Sequence, residues 1–289
     1  MTTTTAPTTH TLEAPGATIT YDVRQTDVPA PVLMLIGSPM GAGGFATLAS
    51  HFPDRTIVTY DPRGVERSVK TDPSSLSTPD QHADDVHRII AEIDAGPVDL
   101  FASSGGAVNA LAFVAKHPEQ VRTLVAHEPP LASILPDREG AMAFTQAISD
   151  TYERSGFGPA MAQFILAVGH RGPMTPEFAA APPPDPATFG LPAEDDGTRT
   201  DVLLHQNITT CTHYEPDFDA LRAASTRIVP AAGVESEGQM AHRGAEAVAE
   251  RLGMKLVMFP SDHGGFLGGE YGQAGDPDAF AAKLREVLA

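Results

Sequence analysis

One cysteine, no tryptophan and only 19 lysines and arginines are the scarcities of this 289-residue chain. A lone Cys211 has no partner for an internal disulfide, and a cysteine-rich metal site is excluded; the expected compartment is a reducing cytoplasm. The few basic residues face 37 aspartates and glutamates, for a formal net charge of −18. That excess repels nucleic acid and anionic membranes, so neither is expected as a partner. No apolar run approaches the ~18 residues that a bilayer span requires. The opening MTTTTAPTTHTLEAP has no basic stretch followed by an apolar one, so no secretory signal is read there. Residues 1–12 are expected to be a disordered Thr-rich tail.

What remains is a globular composition, with 42% hydrophobic and 19% charged residues. ATITYDV (17–23) alternates like a half-exposed strand. VLMLIG (32–37), TIVTYD (56–61), VDLFAS (98–103) and VRTLVAHE (121–128) are near-continuous apolar runs, the pattern of strands buried on both faces. Helical patterns fall between them at 43–52, at 81–93 and in the Ala-rich 106–116. Strand–helix units of this length predict right-handed crossovers and an α/β fold, a mostly parallel sheet flanked by helices. The rhythm stops after Pro130. Residues 131–224 carry helical segments and a Pro-rich connection, APPPDPATFGLPAEDDG, but no good strand. It resumes with TRIVPAAG (226–233), a helix over 239–252, MKLVMFP (254–260) and a last helix over 278–288. The expected organisation is a core of 13–130 and 225–289, with 131–224 inserted as a helical cap before the last two strands.

The stretch LFASSGGAVNALAF (100–113) sets two serines and two glycines where a strand meets a helix. The glycines could serve a tight turn or a phosphate-binding loop, but Arg88 is the sole cation between Lys70 and Lys116, and no Gly-x-Gly-x-x-Gly occurs here. A serine nucleophile would need this context. Its hydroxyl must stand clear of the sheet, and the N-terminus of the next helix supplies free N–H groups and a positive dipole end for an oxyanion. Such a turn is strained, so the residues two before and two after the serine must be small. Centring on Ser104 gives Ala102 and Gly106; centring on Ser103 gives Phe101 and Gly105, so Ser104 is preferred.

In Ala102-Ser103-Ser104-Gly105-Gly106 the chain resembles the α/β-hydrolase family, whose nucleophile elbow reads G-x-S-x-G, with Ala102 replacing the first glycine. The family order of serine, acid and histidine then implies His263, in FPSDHGGFLGG after the last strand, as general base. His127, directly after a strand, is kept as a supporting residue. The resemblance puts the acid after TRIVPAAG. Many members carry Asp three residues after the glycine, where Ser236 stands; others carry it one residue earlier, where Glu235 stands. Glu235 is preferred, and Glu128, at the end of the strand before the insertion, is the alternative. The turn Ile36-Gly37-Ser38-Pro39-Met40 resembles the family's His-Gly-x-Pro segment. It implies an oxyanion hole from the backbone of Ser38 and Gly105, with Met40 as a wall of the substrate pocket. Asp61-Pro62-Arg63-Gly64-Val65-Glu66-Arg67-Ser68 resembles another family segment and is read as structural, with Asp61 and Arg63 pairing locally.

The resemblance implies a serine hydrolase that uses no cofactor or metal and acts on a small-to-medium uncharged carbonyl substrate: an ester, a thioester, a lactone or a related compound. A non-catalytic ligand-binding protein on the same fold and a cofactor-free haloperoxidase or perhydrolase are the alternatives. A homo-oligomer is left open.

Overall fold

The computed structural model describes residues 6–289. Its strands are Thr8–Ala14 (β1), Ala17–Arg24 (β2), Leu33–Ile36 (β3), Ile57–Tyr60 (β4), Val69–Lys70 (β5), Val98–Ser103 (β6), Val121–His127 (β7), Arg227–Gly233 (β8) and Val257–Phe259 (β9). They form one sheet in the order β1-β2-β4-β3-β6-β7-β8-β9, with β5 beside β2. From β4 to β9 every neighbouring pair is parallel. β2 joins β1, β4 and β5 antiparallel. All residues of β3, β4 and β6 are buried, which is why these strands read as unbroken apolar runs instead of alternating ones.

Side chains of a strand point alternately to the two faces, so each central strand feeds two cores. Met34 and Ile36 join one cluster with Val86 and Ile89 of α2 (Pro79–Ile93), Val108 and Leu111 of α3 (Gly105–Lys116) and Val248 of α9 (Met240–Leu252). Leu33 and Leu35 join the other with Leu48 of α1 (Ala46–Ser50) and Phe280 and Leu284 of α10 (Pro277–Leu288). α2 starts two residues earlier than its apolar pattern, because Thr78 and Gln81 cap it reciprocally and Pro79 fits the first turn.

Two expectations are corrected here. The tail is not disordered throughout, since Thr8–Leu12 belong to β1 and pair in register with Ile19–Val23. Thr9 donates to Asp22, and the His10 ring stacks on Tyr21 at 5.2 Å. β-branched threonines suit an edge strand, so the low-complexity composition concealed a strand. Residues 1–5 lie outside the described residues. Asp61 and Arg63 do not pair with each other. Asp61 accepts from Arg67 Nε at 2.6 Å and from the Ala42 amide at 2.8 Å, while Arg63 makes a bidentate pair with Asp85 of α2. Asp61 thereby ties the segment after β4 to the chain leaving β3.

Residues 131–224 carry α4 (Arg138–Ser155), α5 (Phe157–Gly169), α6 (Pro176–Ala179), α7 (Ile208–Thr212) and α8 (Phe218–Ala223). Val202–Asn207, ahead of α7, is a π-helix. Its wider turn sends the consecutive residues Gln206 and Asn207 inward together, and both are buried. Gln206 Oε1 accepts from Lys70 Nζ at 2.9 Å and from Ser77 Oγ at 3.0 Å, and an Asp137–Arg243 ion pair joins the insertion to α9. The insertion is fastened to the core at several points.

Candidate active site

β6 ends at Ser103 and α3 begins at Gly105, so Ser104 makes the turn alone. Its φ of 58° and ψ of −131° are a conformation that costs a non-glycine residue on the order of 1–3 kcal/mol. The Ser104 amide donates to the His127 carbonyl at 3.0 Å, and its own carbonyl accepts from the Ala107 amide at 2.9 Å, so strand and helix hold the turn from both sides. The glycines that follow are needed for closeness. A Cβ on Gly105 would lie 2.6 Å from the Ser38 carbonyl oxygen, and one on Gly106 would lie 2.7 Å from Gly37 Cα. The first turn of α3 is thus pressed against the turn after β3.

Ser103 is buried and its hydroxyl lies 3.3 Å from His127 Nδ1, beneath the turn. Ser104 lines a cavity of about 350 Å³, and so does His263 from the loop between β9 and α10. Ser261 at φ 67° and the Asp262 carboxylate, which accepts from the Gly264 amide at 2.9 Å, shape that loop.

The carboxylate partner of His263 is Glu128. His263 Nδ1 and Glu128 Oε2 are 2.5 Å apart. Glu128 directly follows β7, takes a left-handed φ of 49° and donates its amide to the Ala231 carbonyl, which turns its side chain under the sheet end. It is fully buried. Burial alone would raise its pKa; hydrogen bonds from His263 and Ser236, with the nearby His127 and His263 charges, outweigh that and bring it down to about 2. Glu128 is therefore ionised at neutral pH.

Glu235, the preferred acid in the sequence reading, is corrected by this geometry. Its amide donates to the Ser261 carbonyl at 2.9 Å and its carbonyl accepts from Arg171 at 2.7 Å. The chain leaving β8 is folded back over the β9 loop, and Glu235 is exposed. Met40 is corrected too. It does not line the cavity; its side chain folds back over Gly37 and Gly44 and packs against the core. A Cβ on Gly37 would meet Met40 Cε at 2.9 Å. His127, kept as a supporting residue, lies below His263 with ring centroids 6.1 Å apart. Its burial drops its pKa to about 4, so the ring is charged only below that pH and neutral above it.

Four residues at the site were missed or given no role by sequence reasoning. Asn207 of the π-helix donates to Ser38 Oγ at 2.7 Å, linking the insertion to the turn after β3. Phe164 and Ile208 supply apolar wall, and among the described residues no lysine or arginine lines the cavity. Ser236 bonds to Glu128. Only Ser236 had a sequence signal, its place three residues after Gly233. Among the described residues no cluster of three or more His, Cys, Asp or Glu is arranged to hold a metal, and no helix is long and apolar enough to cross a membrane.

A model of the alpha/beta hydrolase fold matches residues 30–165. The uncharacterized hydrolase YraK of Bacillus subtilis is 32% identical over 262 residues, covering 89% of each chain. The chain belongs to the α/β-hydrolase family. Solved structures agree on the fold. A thermophilic esterase from Thermogutta terrifontis superposes with a TM-score of 0.66 at 17% identity, over 98% of both chains. The enol-lactonase from Burkholderia xenovorans gives 0.63 at 15% identity, over 96% of this chain and 99% of its own. In this chain the strained strand-to-helix turn between β6 and α3 is made by Ser104.

Proposed function

We propose that this protein is a serine hydrolase that cleaves a small-to-medium uncharged ester or lactone through an acyl-enzyme on Ser104. One observation carries the reading: the buried, ionised Glu128 binds His263 Nδ1 at 2.5 Å, while His263 and the strained Ser104 face one cavity. An Nδ1–H donated to Glu128 leaves Nε2 with its lone pair free to act as a base. Ser104 Oγ then attacks the acyl carbon while its proton passes to His263 Nε2. The negative oxygen is held by the N–H groups of Ser38 and Gly105, where a lost donor costs about 3 kcal/mol of barrier. Collapse breaks the bond to the leaving oxygen, which takes the proton from Nε2. Water attacks the acyl-enzyme, gives its proton to His263, and Ser104 recovers that proton as the acid leaves. Glu128 fixes the tautomer and stabilises the imidazolium without taking its proton.

Incubation with a fluorophosphonate, followed by peptide mass spectrometry, tests the reading. The expected adduct is on Ser104, absent in Ser104→Ala and strongly slowed in His263→Ala. A folded protein that resists labelling would leave a ligand-binding role on the same fold.

The cavity also sets an expectation for substrate. At about 350 Å³ it is near the small end of ligand sites, its walls are largely apolar, and among the described residues no lysine or arginine lines it to receive an anion. Across p-nitrophenyl esters, kcat/KM should rise from acetate to butanoate or hexanoate and fall by dodecanoate. A hemisuccinate ester, with a carboxylate at the acyl end, should be at least about tenfold poorer than its neutral isostere, since burying an unpaired charge is costly. A flat profile, or a preference for the anion, would contradict this assignment.

A further inference from the structure

Glu128 has two oxygens, and only one of them meets His263. Oε1 accepts the Gly233 amide at 2.8 Å and a short hydrogen bond from Ser236 Oγ. Ser236 is fully buried, and its one hydroxyl proton has two acceptors nearby: Glu128 Oε1 and, at 3.0 Å, the Gly233 carbonyl. The bond to the carboxylate is shorter and charge-assisted, so the proton goes there. Behind it stands His242 of α9, also buried. Its Nδ1 is 3.1 Å from the Gly233 carbonyl and 3.4 Å from Ser236 Oγ, and its Nε2 is 3.6 Å from Glu246. With Nδ1 protonated, His242 satisfies the carbonyl and leaves the Ser236 hydroxyl to point at Glu128.

From these contacts we infer that Ser236, backed by His242, is the positioning residue of Glu128: it pins Oε1 so that Oε2 alone is presented to His263. This rests on the proposed Ser104–His263–Glu128 reading and adds a residue to it. A carboxylate held at one oxygen only can rotate about its last side-chain bond. Each rotation away from His263 leaves the imidazole free to adopt the tautomer whose proton sits on Nε2, which cannot accept from Ser104. Two donors on Oε1 suppress that rotation. Ser236 touches neither substrate nor the reacting atoms, so its effect passes through Glu128 and His263.

The titratable groups facing Glu128 are His263 from the β9–α10 loop, His127 from β7 and His242 from α9. Removing the Ser236 donor leaves more of the carboxylate's charge for them. The acid limb of the kcat/KM profile should therefore move to higher pH. In Ser236→Ala, kcat on a p-nitrophenyl ester is expected to fall by about 10–100-fold, the range of a lost hydrogen bond to a charged group, with KM within about twofold. Ser236→Thr keeps the hydroxyl and should retain most of the activity. Ser236→Cys preserves volume with only a weak donor, and should follow the alanine variant; it carries the test if the alanine variant does not fold. A folded Ser236→Ala or Ser236→Cys enzyme with parental kcat and acid limb overturns the inference. So does a change in melting temperature or KM with no movement of kcat and the acid limb, which is what a merely structural serine would give. Failure of the triad reading itself is distinguishable, because Glu128→Gln would then be active as well.

Discussion

Glu128→Gln is expected to lower kcat by about 10³–10⁴-fold, some 4–5.5 kcal/mol of barrier, while Glu235→Gln stays within about twofold. Glutamine keeps the shape of the side chain but exchanges one acceptor for a donor. If its amide N–H₂ faces His263, Nδ1 must become the acceptor and Nε2 the protonated nitrogen, the tautomer that cannot take a proton from Ser104. If the amide oxygen faces His263 instead, the N–H₂ group is set against the Gly233 amide and the Ser236 hydroxyl, two donors that already point at that position. Neither orientation reproduces the wild-type arrangement, and the negative charge opposite the imidazolium is lost in both. Steady-state kinetics on one ester for the two variants decide the point. A crippled Glu235→Gln beside an active Glu128→Gln would sink the assignment.

The same carboxylate ties stability to pH. Its folded pKa of about 2 lies below the ordinary 4.5, so the unfolded chain binds the proton more readily. The contribution is complete above about pH 4.5 and is lost as pH falls towards 2, with a limit on the order of 3 kcal/mol. Glu128→Gln should accordingly show a flatter loss of melting temperature over that window than the parent.

The central strands were legible because β3, β4 and β6 are buried on both faces and need continuous apolar runs. The turn at Ser104 was legible because its conformation dictates small neighbours, and the place of His263 beside the cavity because no other histidine follows the last strand. The acid was not. Glu128 and Glu235 leave the ends of adjacent parallel strands, β7 and β8, and both are plausible by chain order. What separates them is a left-handed φ at Glu128 that turns its side chain inward, and a backbone bond from Glu235 to Ser261 that turns the other way. Both follow from contacts between segments more than 20 residues apart, which periodicity and propensity do not encode. β1 and the π-helix were missed for related reasons. A Thr-rich edge strand has no apolar run, and a π-turn arises where Gln206 and Asn207 must both reach inward to partners far away in sequence.

Gly106→Ala is expected to destabilise the protein by about 2–3 kcal/mol and to lower kcat by about 10²-fold, although residue 106 is in the first turn of a helix. Helix propensity alone argues the opposite, since alanine is favoured over glycine by about 1 kcal/mol in a helix interior. The surroundings decide against it. The new Cβ would lie 2.7 Å from Gly37 Cα and from the Ile36 carbonyl oxygen, and 2.9 Å from Gly37 C. These are backbone atoms of the chain leaving β3, whose Leu33–Ile36 are paired to β6 and fully buried, so they have no rotamer to change. Relief requires moving α3 away from the turn that carries Ser38, which widens the gap between the Ser38 and Gly105 N–H groups. An oxyanion site displaced by a fraction of an ångström loses catalysis out of proportion to stability. Gly43→Ala, where an added Cβ meets nothing within 4 Å, is the control and should be near neutral in melting temperature and rate. If Gly106→Ala were equally neutral, close packing of the elbow against the β3 turn would not be what the glycine provides.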